Sequence, residues 1–198
     1  MNMLKTIGMM YVTLAPTVLA GIFNMVWCKL PVMKFARVPI DGGRNLTDGR
    51  RIFGDSKTWK GLFGYVMLNL IFAVIWGAIC RAAGLEAWNF FYVNHENRLG
   101  YNVLVGILLG FGYSLFELPN SFLKRRLDIS QSKSISGAKK VFFVFLDQAD
   151  SVFGVALVVW LFYELGIGLY LLYVLVGAGT HILLNMMLYF MKLRKNMF

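Results

Sequence analysis

Five long apolar runs constrain this chain more than any other feature of its sequence. They lie near Ile7 to Trp27, Gly61 to Cys80, Tyr101 to Leu118, Val141 to Tyr163 and Leu165 to Met191, and each approaches the roughly 20 residues with which an α-helix crosses about 30 Å of hydrocarbon. Hydrophobic residues make up 58% of the 198 positions and charged residues only 15%, against about 25% charged in soluble domains. The sequence predicts an all-α integral membrane protein of about five transmembrane helices, with one domain over residues 1–198.

The distribution of Lys and Arg predicts how these helices are oriented. The 29–60 loop carries eight basic residues, the 119–140 loop six and the C-terminal tail three, whereas the opposite side carries only Lys5, Arg81 and Arg98. Cytoplasmic loops of membrane proteins collect Lys and Arg, so we expect both loops and the C-terminus in the cytoplasm and the N-terminus outside. The net charge of +10 then indicates contact with anionic lipid headgroups and does not require nucleic acid as a partner.

Two acidic residues interrupt the fourth apolar run. Asp147 and Asp150 are three positions apart, so both carboxylates project from one face of a helix. Each ionised carboxylate in hydrocarbon costs roughly 2.5–3.5 kcal/mol, and two that repel one another need a compensating partner. One such partner is Mg²⁺, which takes one or two carboxylates and completes its coordination with water and substrate phosphates. Salt bridges to Lys or Arg near the cytoplasmic boundary are the alternative.

A cluster of cations opens the 119–140 loop. Residues 119–126 read Pro-Asn-Ser-Phe-Leu-Lys-Arg-Arg, and Glu117 lies four residues before Ser121. Three consecutive cations beside a hydroxyl and a carboxylate suit a polyphosphate that arrives with its own metal, to which Glu117 is a candidate ligand. Taken alone, this segment favours an ordinary basic loop that contacts lipid phosphates.

The 29–60 loop combines glycines with basic and hydroxyl residues. Its segment 49–61 reads Gly-Arg-Arg-Ile-Phe-Gly-Asp-Ser-Lys-Thr-Trp-Lys-Gly. Glycine lets the backbone approach an anion closely, and the segment leads into a helix N-terminus, which favours phosphate. We expect Arg50, Arg51, Lys57 and Thr58 to bind phosphate, although the spacing is not that of a Walker motif. A basic loop without a ligand is the alternative.

The last apolar run contains two polar residues that share a helical face. His181 and Asn185 are four positions apart, and polar side chains within a transmembrane helix are typical of binding sites or of hydrogen-bonded packing. We interpret them as the polar lining of a lipid-substrate cavity, with a packing role as the alternative.

Together these motifs resemble the CDP-archaeol synthase family, which is similar to the phosphatidate cytidylyltransferases that make CDP-diacylglycerol. The resemblance covers nearly the whole chain in order, through segments 49–61, 121–126, 146–150 and 180–185. It implies a Mg²⁺-dependent cytidylyltransferase that transfers CMP from CTP to a membrane lipid phosphomonoester and releases pyrophosphate. It also implies a multi-pass enzyme of the cell membrane whose active site faces the cytoplasm.

Individual residues follow from the same resemblance. Asp147 and Asp150 match the family's acidic pair, and Ser121, Lys124 and Arg125 match its Ser-x-x-Lys-Arg element. The resemblance thus implies that the two aspartates and Lys124 are catalytic, that the aspartates bind the metal, and that the Ser-x-x-Lys-Arg element binds CTP.

Two departures from the family pattern bear on the metal site and the substrate. Glu117 stands where a Gly-Asp dipeptide is usual, and the His-Gly-Gly stretch of the phosphatidate enzymes is missing. The second departure favours the archaeol-type branch.

Two other functions agree with the composition. An ion-coupled transporter also uses intramembrane acids, but no inverted repeat is visible here. A CDP-alcohol phosphotransferase is disfavoured, because its Asp-Gly-x₂-Ala-Arg motif is absent from the sequence.

Overall fold

The computed structural model describes residues 2–129 and 138–192. In these ranges the α-helices are α1 (Met3–Lys29), α2 (Trp59–Ala82), the short α3 (Phe90–Val93), α4 (Leu99–Arg126), α5 (Ala138–Tyr163) and α6 (Ile167–Phe190). Two 3-10 helices, Lys34–Arg37 and Glu86–Trp88, lie in the connections. Every helix except α3 is long and apolar enough to cross a membrane. The prediction of an all-α, multi-pass membrane protein with five spanning helices is confirmed.

The C-terminal end of α4 differs from the predicted bounds. The apolar run ends at Leu118, so the sequence assigns residues 119–140 to a loop, and proline is disfavoured within a helix. The structure continues α4 through Pro119 to Arg126. Ser121, Lys124 and Arg125 therefore lie on the last two turns of a helix, and the predicted 119–140 loop begins only at Leu127. Tertiary contacts of these turns, described below, offset the missing hydrogen bond.

Some of the basic residues from which the orientation was predicted are not described by the structure. Lys133, Arg194 and Lys195 fall outside the described residues, and of Lys139 and Lys140 only the backbone is described.

Helix α2 illustrates how the sequence separates a lipid-facing surface from a packed one. Large apolar side chains recur every four residues on one face and are exposed: Phe63, Met67, Ile71, Ile75 and Ile79. The opposite face is buried and carries small or polar residues, among them Gly64, Asn69, Ala73 and Gly77. Small residues let helix backbones approach closely in a bilayer, where burial of apolar surface gives little driving force.

Helix α4 lies between α2 and α5, and α5 also packs against α6. A Cβ added at Gly106 or Gly110 would collide with the backbone of α2, and one added at Gly112 would lie 2.9 Å from the carbonyl oxygen of Gly154 in α5. Glycines on both sides of α4 therefore fix its distance from its neighbours. Helix α1 packs mainly on α2 and has few contacts with α6.

Candidate active site

A polar cavity of about 490 Å³ opens where the C-terminal half of α4 meets α5, α6 and the 29–60 loop. Most of the residues predicted to carry function line it together: Lys57, Glu117, Ser121, Lys124, Arg125, Asp147, Asp150, His181 and Asn185. The extension of α4 past Pro119 makes this possible, because it brings the cations of α4 beside the acids of α5.

The two aspartates share one hydrogen-bond donor. Nδ2 of Asn120 lies 2.7 Å from Oδ1 of Asp147 and 2.7 Å from Oδ2 of Asp150. Lys124 forms an ion pair with the second oxygen of Asp147 at 2.5 Å, and the backbone N–H of Ser151 donates to Asp150 at 2.6 Å. Asp150 is 8% exposed, whereas the side chain of Asp147 is 38% exposed. Asp147 thus lies nearer the cavity mouth.

Glu117 has a different partner from the aspartates. Its carboxylate forms an ion pair with Lys57, which reaches into the cavity from the loop before α2. Burial acts to lower the pKa of Lys57, but the ion pair with Glu117 outweighs it, and the pKa lies above its usual value. Lys57 is therefore charged at neutral pH and paired with Glu117.

The carboxylate oxygens of the two aspartates are chemically suited to bind Mg²⁺. Mg²⁺ takes oxygen ligands at about 2.0–2.1 Å, and two carboxylate oxygens here converge on one point, the nitrogen of Asn120. The buried Oδ1 of Asn120 has no hydrogen-bond partner in the part of the chain that the structure describes. Glu117, predicted as a further metal ligand, does not join the aspartates: no group of three acidic, His or Cys side chains forms among the described residues. Glu117 pairs with Lys57 instead, and its part in metal binding stays a prediction.

Arg50 and Arg51, both predicted to bind phosphate, are engaged within the loop and with the end of α4. Arg51 pairs with Asp41 at 2.7 Å and with Asp55 at 2.6 Å. Arg50 donates to the carbonyl oxygen of Arg126. The structure therefore places both guanidinium groups in contacts that fasten the loop.

Asp41 organises the loop that carries these arginines. Its carboxylate is buried and accepts from Arg51 and from the backbone N–H groups of Gly43, Phe53 and Gly54. Burial alone would raise the pKa of Asp41, but these hydrogen bonds outweigh it and hold the pKa well below its usual range. Asp41 is therefore charged and fixes the fold of residues 41–54.

The C-terminal residues of α4 bind this loop from the other side. Arg126 pairs with Asp48 at 2.5 Å and donates to the carbonyl oxygens of Arg50 and Arg51. Arg125 donates to the carbonyl oxygen of Phe53 while it lines the cavity. These are the tertiary contacts that hold the last turns of α4 in helical form.

Thr58 has a structural contact in addition to its predicted role. Its hydroxyl accepts from the N–H of Gly61 and so caps the N-terminus of α2, a typical N-cap arrangement. Thr58 lines an adjoining cavity of about 340 Å³ that shares Lys57 and Glu117 with the first.

His181 and Asn185 lie side by side at the inner wall of the cavity. Asn185 donates to Oε1 of Gln148 at 2.6 Å, and the ring of His181 lies 5.8 Å from that of Tyr113. Both residues also line a narrower groove between α1 and α6. Both residues therefore line the cavity, and the hydrogen bond of Asn185 is also what the packing alternative expects; their contact with a lipid substrate stays a prediction.

Comparison with known proteins shows the family. A family model described as "CarS-like: CDP-archaeol synthase" matches residues 9–198. The chain belongs to the CDP-archaeol synthase family. The predicted resemblance is thus confirmed.

Individual relatives agree with this assignment. A CDP-archaeol synthase from Thermococcus onnurineus is 38% identical over 114 residues, or 58% of this chain and 60% of that protein. One from Methanococcus aeolicus is 32% identical over 73% of this chain and 76% of that protein. The chain spans about half to three fifths of the length of several of the relatives it matches.

One solved structure has the same fold. It belongs to a protein described as an intramembrane enzyme for archaeal membrane lipid biosynthesis, and it matches with a TM-score of 0.58 over 89% of this chain and 92% of that one, at 23% identity. At this identity the likeness shows the fold alone.

Sequence reasoning missed three residues that shape the site of this family member: Asn120, Asp41 and Gln148. Asn120 stands directly before Ser121 in the cation cluster, and Gln148 lies between the two aspartates. Each of these two is a polar residue next to a predicted site residue, and this position in the sequence could have identified it. For Asp41 the sequence gives a weaker signal, because only the folded loop brings the N–H groups of Phe53 and Gly54 to its carboxylate.

Proposed function

We propose that this chain is a CTP-dependent cytidylyltransferase that transfers CMP to a membrane lipid phosphomonoester and releases pyrophosphate. The observation that carries the proposal is one cavity in which paired carboxylates face several cations at the membrane boundary. Polyphosphate with a divalent cation needs both kinds of group. The names of the matched relatives support an archaeol-type phosphate as the acceptor.

In this reaction an oxygen of the lipid phosphate attacks the α-phosphorus of CTP in line, and pyrophosphate leaves. The protein contributes positioning and charge neutralisation. Lys57, Lys124 and Arg125 neutralise phosphate oxygens, and the hydroxyl of Ser121 is a further donor to them. Asp147 and Asp150 would hold Mg²⁺, which supplies electrostatic stabilisation of the triphosphate when bound.

The 29–60 loop has a positioning role in this proposal. Arg50 and Arg51 fasten the loop, and the loop holds Lys57 in the cavity beside Glu117. Both arginines act through the loop and make no direct contact with the triphosphate.

The lipid enters from the side. The groove between α1 and α6 joins the polar cavity at His181 and Asn185, and its other walls include Val18, Ile22 and Leu188. Hydrocarbon chains can remain in this groove and in lipid while the phosphate reaches the cations. The concentration of Lys and Arg at this end of the bundle supports a site that faces the cytoplasm across the cell membrane.

The test is release of pyrophosphate from labelled CTP by the purified protein in lipid nanodiscs, with a panel of ether-linked prenyl and ester-linked acyl phosphates. Asp147→Asn and Asp150→Asn are each expected to abolish release, since each removes a charge from the paired site. Glu96→Gln, a change in an exposed ion pair with Arg98 in the loop before α4, is the matched control and is expected to keep activity. Near-normal release in either aspartate variant would overturn the assignment. Membership of this family leaves the transporter alternative without support.

A further inference from the structure

Of the two polar atoms in the side-chain amide of Asn120, only the nitrogen has hydrogen-bond partners among the described residues. It is 6% exposed, and its Nδ2 donates to both aspartates at 2.7 Å. Its Oδ1 is buried and has no hydrogen-bond partner among the residues that the structure describes. A buried acceptor without a partner costs free energy, so this orphaned oxygen at the centre of the site needs a reason.

The position of the amide suggests that reason. Nδ2 lies where an oxygen of Asp147 and an oxygen of Asp150 converge. Without a cation between them, two carboxylates require an N–H donor at this point. A rotation of the amide about its Cβ–Cγ bond exchanges Nδ2 and Oδ1, and the oxygen would then face the same point. Two carboxylates would repel it there unless a cation lay between the three groups.

The amide oxygen is also better placed than Glu117 to complete such a ligand set. Mg²⁺ binds oxygen ligands, and Glu117 is held by Lys57. Asn120 is already in contact with both aspartates and lies one helical turn before Lys124. A neutral oxygen also adds no further negative charge to the pair.

We propose that Asn120 is a third protein ligand of the divalent cation, which it binds through Oδ1 after its amide rotates. Asn120 thus serves as hydrogen-bond donor to the two carboxylates without the ion and as oxygen ligand with it. The inference rests on the proposed function, since it takes the aspartates to be the metal site.

A thiol at position 120 tests whether this side chain binds the metal ion directly. Asn120→Cys is titrated with Co²⁺ in the presence of CTP and without lipid acceptor, and the near-ultraviolet absorption of a cobalt–thiolate bond is recorded. Thiolate is a soft ligand that reports its own bond to the metal. The wild type gives the background of Cys28 and Cys80, and Ser114→Cys, on the same helix in the adjoining cavity, is the matched control. We expect the band only in Asn120→Cys; saturation with Co²⁺ without it would overturn the proposal.

A second pair of variants covers the case in which the cysteine variant does not fold. Mg²⁺ affinity is measured calorimetrically in Asn120→Asp, which keeps an oxygen ligand, and in Asn120→Leu, which has none. The aspartate variant is expected to bind at least as tightly as the wild type, and the leucine variant at least tenfold more weakly. Equal affinity of the leucine variant and the wild type would overturn the proposal.

The metal assignment itself is tested separately. If Asp147→Asn binds Mg²⁺ as the wild type does, the metal assignment in the proposed function fails. If Asp147→Asn loses binding while Asn120→Leu keeps it, only the role of Asn120 fails.

Discussion

The close approach of α4 and α5 at two glycines sets the geometry of the site, and Gly154→Ala tests this. A Cβ on Gly154 would collide with the backbone carbonyl of Gly112. Carbon atoms pack at about 3.5–4.0 Å, so the helices must separate locally by about an ångström. Overpacking of this kind costs about 1–3 kcal/mol of stability.

The effect on the site follows from the helical repeat. Gly154 lies one turn after Asp150 on the same face of α5, and Gly112 lies two turns before Asn120 on α4. The bonds from Asn120 to the two aspartates cross this interface at 2.7 Å. Separation by about 1 Å would take them past the limit of a hydrogen bond. A misplacement of this size can cost about 10²-fold in rate.

The assay compares CTP-dependent pyrophosphate release and thermal unfolding of Gly154→Ala with those of Gly179→Ala. Gly179 is a glycine of α6 with open space at its Cβ position, so alanine there controls for the change in helix propensity. We expect activity to fall by one to two orders of magnitude in Gly154→Ala and to persist in Gly179→Ala. Wild-type activity and stability in Gly154→Ala would refute the view that this contact sets the site.

Two further predictions concern the ion pairs around the cavity. Lys57→Met and Glu117→Gln should each destabilise the protein, because each leaves a half-buried charge without its partner. The double variant should lose about 0.5–3 kcal/mol less free energy of unfolding than the sum of the two single losses. Additive effects in thermal unfolding would contradict the pairing. Asp41→Asn should cost about 2 kcal/mol at pH 7. Because hydrogen bonds hold the folded pKa of Asp41 below its usual value, that deficit should be constant above about pH 5 and shrink below about pH 4. A deficit that grows on acidification would contradict this assignment.

The membrane fold and the acidic pair could be predicted because both follow from local rules. A run of apolar residues as long as the bilayer is thick has few structural options, and two carboxylates within such a run need a partner wherever the helix lies. The alternative of a salt bridge to Lys or Arg is met by the ion pair of Asp147 with Lys124, although the sequence does not single out Lys124.

The partners of individual charges could not be predicted in this way. The sequence offers several cations for each acid, and only the folded loop shows that Arg51 reaches Asp41 while Lys57 reaches Glu117. The extension of α4 was missed for a related reason. Pro119 disfavours a helix locally by about 3 kcal/mol, and the contacts that offset it come from residues 48–53 and from α5.

The pairing of charges in the cavity implies how it accepts a polyphosphate. Lys57 is neutralised by Glu117 and Lys124 by Asp147, so neither cation is free for a ligand without an exchange of partners. On the proposed function, the phosphates of CTP take Lys124 and the Mg²⁺ that accompanies CTP takes Asp147, so each of these side chains exchanges one oppositely charged partner for another. A bare triphosphate would have to compete with the carboxylates for the same ammonium groups, at a cost that grows in a site screened from water. The acids that oppose the cations thus favour the nucleotide with its metal over either one alone.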